Sequence, residues 1–357
     1  MFGTRELKLH PLSNSIQTWG KKIREVIDPE RIRINVVSLP TPRNRLYNPE
    51  AMIQADDMML EKLADSGWSV EKQPFAFNSI EGIKDISPTI TFNKWSDIST
   101  VYENLEGSNI IATKIGIQEP EKAVVVIGHH DTVKASPGAN DNTASVAAII
   151  ELARVIEPYK FNRTVILAMP DMEELWFIGA KALVKALIDS YQLLGVINYE
   201  TMGYIDNEPG TQIVPQGIDL LYKDQYKRIK ANKFRGDFTC VIYNGKATTI
   251  ASIFGSALNY QIKSTTTILL RDPNDLPFIG KLLGVAVPTV RNFGRSDHSV
   301  FWEAGIPAFM VTDTANFRYK HYHQPTDTPE KVDYIRIADI VGATAMVIAE
   351  TAGLVQE

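Results

Sequence analysis

The stretch Lys122–Ile156, "KAVVVIGHHDTVKASPGANDNTASVAAIIELARVI", holds three kinds of sequence in succession. "KAVVVIG" is short, continuous and β-branched, the pattern of a strand buried on both faces. "ASVAAIIELARVI" repeats its apolar residues at helical spacing. Between them lies a polar segment that places His129, His130, Asp131 and Asp141 just beyond the strand end. A buried strand followed by a helix predicts a βα unit and, if repeated, a largely parallel sheet covered on both faces.

The repeat is present. "RTVILAM" (163–169) reads as a second buried strand, "GAKALVKALIDS" (179–190) as a helix and "GVINY" (195–199) as a third strand. Near the end, "IPAFMVTD" (306–313) is a further strand and "DYIRIADIVGATAMVIAETAGL" (333–354) a closing helix. Upstream, residues 15–68 read as helical, with "MIQADDMMLEKLADSGW" the clearest amphipathic part and Gly67 its stop. "SGWSVEKQPFAF" and "SNIIATKIG" alternate as strands. The expected fold is an α/β/α sandwich: one mixed, largely parallel sheet with helices on both faces, forming one domain over 1–357. Residues 205–290, with "DNEPGTQIVPQG", "DLLYKDQYKRIKANKF" and "RDPNDLPFIGKLLG", are expected to leave the sheet as an irregular excursion lining the substrate pocket.

Composition narrows the function. The 357 residues are 44% hydrophobic and 22% charged, with a net charge of −5. No basic surplus points to nucleic acid or anionic lipid. The single cysteine, Cys240, excludes both an intrachain disulfide and a thiolate zinc cluster. A metal site would have to use His, Asp and Glu, which suits a catalytic rather than a structural zinc. The N-terminal "MFGTRELKLHPLSNSIQTWG" lacks an apolar signal core, and no apolar run nears the ~20 residues of a membrane span. The expectation is a cytoplasmic protein with no membrane or nucleic-acid partner.

In open α/β sheets, ligands bind beyond the carboxyl ends of the strands. Four of the buried runs end in acids or imidazoles: His129, His130 and Asp131; then Asp171, Glu173 and Glu174; then Glu200; then a loop carrying His321 and His323. Each alone reads equally well as a polar loop or a solvated helix start. Together they predict a metal site at one sheet edge. His129 and Asp131, two apart in an extended segment, share a side. The carboxylate can take one imidazole N–H and leave the other nitrogen for metal. Adjacent Glu173 and Glu174 cannot point the same way, so one can bind metal while the other faces water.

The motifs "GHHDTV", "PGANDNTASVAAIIELAR", "PDMEELWFIGAKAL", "INYETMGY", "GRSDHSVFWEAGIPA" and "HYHQPTDTPEKVD" resemble the co-catalytic zinc aminopeptidase family. That family includes bacterial leucyl aminopeptidases, glutamate carboxypeptidases and glutaminyl cyclases. The resemblance runs from about Glu25 to the C-terminus. It implies two Zn2+ ions bridged by Asp141, with Glu174 and His323 completing one site and His129 and Glu200 the other. It implies Glu173 as general base, Asp131 as the support of His129, and a cis bond between Asp141 and Asn142. Relatives often carry Asp where this chain has Glu200, and Tyr where it has His130. His130 is expected to be a packed ring and not a ligand, and His298, Asp297 and Ser296 to support the site.

The function implied is a metallo-exopeptidase. The leading form is an aminopeptidase acting on small peptides. The alternatives are a carboxypeptidase or amidohydrolase acting on a small acylated amino acid or a specialised peptide, cyclisation or acyl transfer at a single zinc as in the glutaminyl cyclases, and a non-enzymatic binding protein that would have lost ligands. Arg295, Asp297 and Arg318 are the expected substrate-contacting residues. Either arginine could grip a substrate carboxylate, or both could hold loops together.

Overall fold

The computed structural model describes residues 6–86, 95–263, 266–276, 280 and 288–355. Its centre is an eight-stranded sheet in the order β1-β2-β4-β3-β5-β8-β6-β7. The strands are β1 (Ser69–Ile83), β2 (Ser99–Lys114), β3 (Glu119–Ile127), β4 (Arg163–Met169), β5 (Gln192–Tyr199), β6 (Thr239–Tyr243), β7 (Thr267–Arg271) and β8 (Ala308–Thr312). The central four, β4-β3-β5-β8, run parallel, so their carboxyl ends lie side by side along one edge. The strands outside them pair antiparallel where they join this core, and β6 and β7 are parallel to each other. The sheet is therefore mixed, as expected.

Strand periodicity assigns the faces. Val124, Val126, Val165, Leu167, Ile197, Val241, Leu269, Phe309 and Val311 pack with helices Asn14–Val26, Ala144–Ile156, Thr248–Ile262 and Tyr334–Ile348. The intervening residues Val125, Ile127, Ile166, Ala168, Val196 and Ala308 face the helix Ile178–Ser190 and Phe301. Each Val, Leu, Ile or Phe side chain among them, buried on folding, contributes about 1.5–3 kcal/mol. The amino-terminal helices follow their local signals. Ser13 and Asp28 cap Asn14–Val26 and Pro29–Ser38. Pro49–Asp65 ends where Gly67, at φ +83°, lets Trp68 N–H reach Leu63 O and Gly67 N–H reach Ala64 O.

The segment 205–290 departs from expectation. Its first part, up to Gly217, is irregular. It then contributes β6, the long helix Thr248–Ile262 and β7, so it extends the sheet and does not leave it. "TCVIY" and "TILLR" are five-residue strands, too short to show a period, and β6 is anchored by pairing with β8, about seventy residues later. Residues 277–279 and 281–284 of the run "RDPNDLPFIGKLLG" lie outside the described residues. Among the described residues, no helix is long and apolar enough to cross a membrane.

Candidate metal centre

The four parallel strand ends bring their polar residues together. His129 follows β3, and its Nδ1–H points at Asp131 Oδ1, 3.2 Å away. That leaves Nε2 facing Asp141 Oδ1 at 3.3 Å, Glu200 Oε2 at 3.5 Å and Glu173 Oε2 at 3.9 Å. His323 mirrors it. Its Nδ1–H donates to the carbonyl of Ile86 at 3.1 Å, and its Nε2 lies 3.2 Å from both Asp141 Oδ2 and Glu174 Oε2. Asp141 thus turns one oxygen to each imidazole. His129, Glu173 and Glu200 can bring donor atoms within 4.8 Å of one another, as can His129, Asp141 and Glu174.

The backbone that presents these groups is unusual at several points. Met172, Trp176 and Phe177 bracket the Glu173–Leu175 turn with φ values of 55°, 87° and 60°. Thr201, next to Glu200, has φ 40°, and His323 itself has φ 57°. Non-glycine residues in this region are sparsely populated and concentrate at functional sites. The Asp141–Asn142 bond is cis. Two further supports are side-chain bonds. Asp131 accepts the amides of Glu173 at 3.0 Å and Glu174 at 3.2 Å, and Ser296 Oγ–H donates to Glu200 Oε2 at 2.8 Å.

The donor set fits a dication. Among the described residues, His129 Nε2, His323 Nε2, both Asp141 oxygens and Glu174 Oε1 are buried with no hydrogen-bond partner, although the imidazoles face Asp141 at close range. Buried polar atoms left in this way are costly unless something else satisfies them. Asp131, Asp141, Glu173, Glu174, Glu200 and Asp297 gather six buried carboxyls around two imidazoles. An N/O set with surplus negative charge and no thiolate suits zinc.

The protonation preferences reflect the same crowding. Burial pushes the Glu173 carboxyl well above its usual range, helped by Glu200, Glu174 and Asp297 and opposed by His129. Burial raises Glu174 to about 7 against the pull of His323. For His129 and His323, burial lowers the imidazole, but the surrounding carboxylates override it and hold both well above normal. Burial would raise Asp141 too, yet the two imidazoles keep it below the usual carboxylate range.

A cavity of about 840 Å³, including its open mouth, adjoins this cluster through Glu200 and Tyr322. Its floor is one face of three strands in register: Cys240 and Ile242 of β6, Ile268 and Leu270 of β7, Met310 and Thr312 of β8. Ile218, Ile229, Phe238 and Phe293 wall it.

The remaining expected residues separate. Arg295 is exposed at the cavity, its Nη1–H 3.4 Å from Asn316 Oδ1. Arg318 is buried outside the cavity lining. It donates to Gln212 Oε1 at 2.9 Å and Phe238 O at 2.6 Å and lies over the Phe238 ring. These bonds hold the loops together. Asp297 is fully buried with both oxygens unpartnered, and its carboxyl is raised by burial and by Asp131, Glu200 and Glu174 against the pull of His129. It faces the acid cluster and does not line the cavity.

His130 is a packed ring between Pro170 O and Asp56 Oδ1. His298 donates through Nε2 to Phe293 O at 2.8 Å. His321 bonds Thr326, away from the cluster. Sequence reasoning missed Tyr322, stacked on His323 at 3.9 Å, although "HYH" names it directly. It also missed the Ile86 carbonyl, which carries no side-chain signal.

The sequence pattern of peptidase family M28 matches residues 109–239 and 280–348, more than half of the chain. The chain belongs to peptidase family M28. This M28 chain is 30% identical over 233 residues to the protein YfbL of Escherichia coli (strain K12), covering 61% of this chain and 64% of YfbL. It is 26% identical over 251 residues to a protein of Leptosphaeria maculans named as a probable zinc metalloprotease, covering 66% of this chain and 52% of that one. The M28 chain thus spans between half and two thirds of the length of these curated relatives. The solved aminopeptidase from Aneurinibacillus sp. strain AM-1 shares its fold, with a TM-score of 0.64 at 16% identity over 93% of this chain and 96% of that one.

Proposed function

We infer that this M28 chain is a zinc-dependent aminopeptidase that takes two zinc ions. Asp141, which turns one oxygen to each imidazole, would serve both ions; His129 and Glu200 would hold one, and Glu174 and His323 the other. The observation that carries the reading is the pair of unpartnered imidazole nitrogens, each facing a different oxygen of Asp141. The chemistry a zinc pair supplies when bound is Lewis acidity, which acidifies water and polarises a scissile carbonyl.

The protein's own groups do the rest. Glu173 lies on the His129 side of the cluster, and its raised affinity for protons suits a group that accepts one from water and returns it to the leaving amine. Asp131 fixes the His129 tautomer and the turn that carries Glu173. The polarity of the exopeptidase follows from charge. Buried acids surround the site, and Glu200 reaches the cavity wall, so a free α-amine finds acceptors there. A free carboxylate would need a cation, and among the described residues only the exposed Arg295 supplies one to the cavity. The apolar cavity next to Glu200 takes the side chain of the substrate's first residue, favouring large apolar ones. The cytoplasmic address belongs to this proposal as well, supported by the one cysteine being a free, buried thiol.

The test combines metal analysis with three dipeptide sets: free amine, N-blocked, and C-terminally amidated. About two zinc ions per chain are expected, with hydrolysis of free-amine substrates, amidated or not, and none of N-blocked ones. Turnover of N-blocked substrates equal to that of free-amine ones would replace the aminopeptidase with an amidohydrolase.

A further inference from the structure

The Asp141 carboxylate must sit between two imidazoles, yet among the described residues no donor hydrogen-bonds either of its oxygens. Its position therefore comes from its backbone. That backbone is held by a carboxylate far away in sequence. Asp327 Oδ1 accepts the amide of Asn140 at 2.9 Å, and Asp327 Oδ2 accepts the amide of Asp141 itself at 3.1 Å. The Tyr319 hydroxyl donates to Oδ1 at 2.6 Å, and the amide of Ala139 reaches the Asp327 carbonyl at 3.3 Å.

Asp327 is completely buried, and among the described residues no Lys or Arg pairs with it. Burying a carboxylate without a cation is costly, and two consecutive amides plus a hydroxyl are what offset it here. An apolar side chain could fill the same space for a protein that needed only packing. A carboxylate there does something packing cannot: it fixes the orientation of two successive peptide planes. It also sits four residues after His323, in the same loop, where its own amide bonds Gln324 O at 3.0 Å. One loop therefore supplies an imidazole to the centre and sets the residue facing that imidazole.

We propose that Asp327 is a positioning residue that sets the Asp141 carboxylate between His129 and His323, and so tunes zinc affinity without touching zinc. The inference rests on the reading of the cluster as a zinc centre. Asp327→Asn keeps the shape but turns one acceptor into a donor facing an amide N–H. Tyr319→Phe removes only the hydroxyl and leaves both amide bonds. Zinc affinity is measured by chelator competition on protein shown to be folded by circular dichroism, and cobalt(II)-loaded samples supply visible spectra.

The expected result is zinc affinity about 10- to 100-fold weaker in D327N, with an altered cobalt spectrum, and less than threefold weaker in Y319F with the spectrum kept. Wild-type affinity in folded D327N, equal losses in both variants, or failure of D327N to fold even at saturating zinc would each overturn the inference. Failure of the wild-type protein to bind zinc would instead overturn the reading of the site.

Discussion

Asp131 Oδ1 accepts the peptide N–H of Glu173 at 3.0 Å and faces His129 Nδ1 at 3.2 Å. One oxygen atom thus ties a candidate metal-facing imidazole from the end of β3 to the candidate base from the end of β4. Its partner oxygen takes the amide of Glu174 at 3.2 Å. Asp131 is held below the usual carboxylate range, because His129 and its other donors outweigh burial. Replacing it with Asn puts a donor where only acceptors serve. Asp131→Asn should weaken zinc binding about 10- to 100-fold and lower kcat further at saturating zinc, because the Glu173 turn loses a bond. Equilibrium dialysis and steady-state kinetics on the same samples check this, and unchanged zinc affinity would contradict it.

Glu173 and Glu174 should separate cleanly. Glu173→Gln keeps the size of the side chain and removes the proton acceptor. General base catalysis contributes about 10²- to 10⁴-fold, so kcat should fall by at least about two orders of magnitude while zinc content holds. Glu174→Gln should lose zinc first, because Glu174 shares His323 with Asp141. Near-normal turnover in the Glu173 variant would remove it from the proton path.

Much of this site could be read before the fold was known, because the signals were local. The runs ending at Ile127, Met169, Tyr199 and Thr312 are buried strands with chemistry-bearing residues directly after them, and parallel packing forces such ends together. What stayed hidden was long-range or unperiodic. Ile86 contributes a carbonyl to His323 across more than two hundred residues. Arg318 stands close in sequence to the expected ligands, yet its guanidinium turns inward to Gln212 and Phe238. The strands at 239–243 and 267–271 needed their partners to be recognisable. Asp327 was quoted in a motif, but its role lies in the amides it accepts, which no side-chain pattern reveals.

On the proposed reading, the floor of the cavity sets substrate preference. Met310 of β8 faces it beside Ile242. Met310→Phe pushes a larger, stiffer side chain into the space without adding charge. The kcat/KM for an N-terminal Phe substrate should fall about tenfold, a loss of about 1.4 kcal/mol in transition-state stabilisation, while an N-terminal Ala substrate changes little. Equal losses on both would mean that the cavity does not hold that side chain.

Metal-free stability and the stability gained from zinc should respond to pH in opposite ways. In the metal-free protein, His129 and His323 hold their protons well above the ordinary histidine range, and burial raises Glu174 to about 7. A folded-state pKa above the unfolded one gives stability that is complete below the unfolded value and lost as pH rises through the folded value. The unfolded values are 4.5 for Glu174 and 6.5 for the histidines. The metal-free Tm should therefore decline from mildly acidic pH through neutrality. Zinc binding needs these groups deprotonated, so the Tm gained at fixed zinc should grow over the same interval. Calorimetric scans from about pH 4 to about pH 8, with and without zinc, would decide it. A zinc-induced gain independent of pH would contradict the assignment of these groups as ligands.

The two arginines should part company when each is changed to Met. Arg318→Met removes charge-assisted bonds to Gln212 Oε1 and Phe238 O from a buried site. Bonds to a charged group are worth about 1.5–3 kcal/mol each, and the Met side chain retains part of the packing on Phe238. A loss of about 2–4 kcal/mol in stability is expected, read by denaturant unfolding, with KM for peptide acid and peptide amide moving together. Arg295 is exposed, and its one side-chain bond, to Asn316, is long. Its replacement should leave stability within about 0.5 kcal/mol. An aminopeptidase recognises the amine end, so Arg295→Met should change kcat/KM for a dipeptide acid and its amide by the same small factor. A KM raised only for the acid would show that Arg295 grips the substrate carboxylate, and the polarity of the exopeptidase would then have to be reversed.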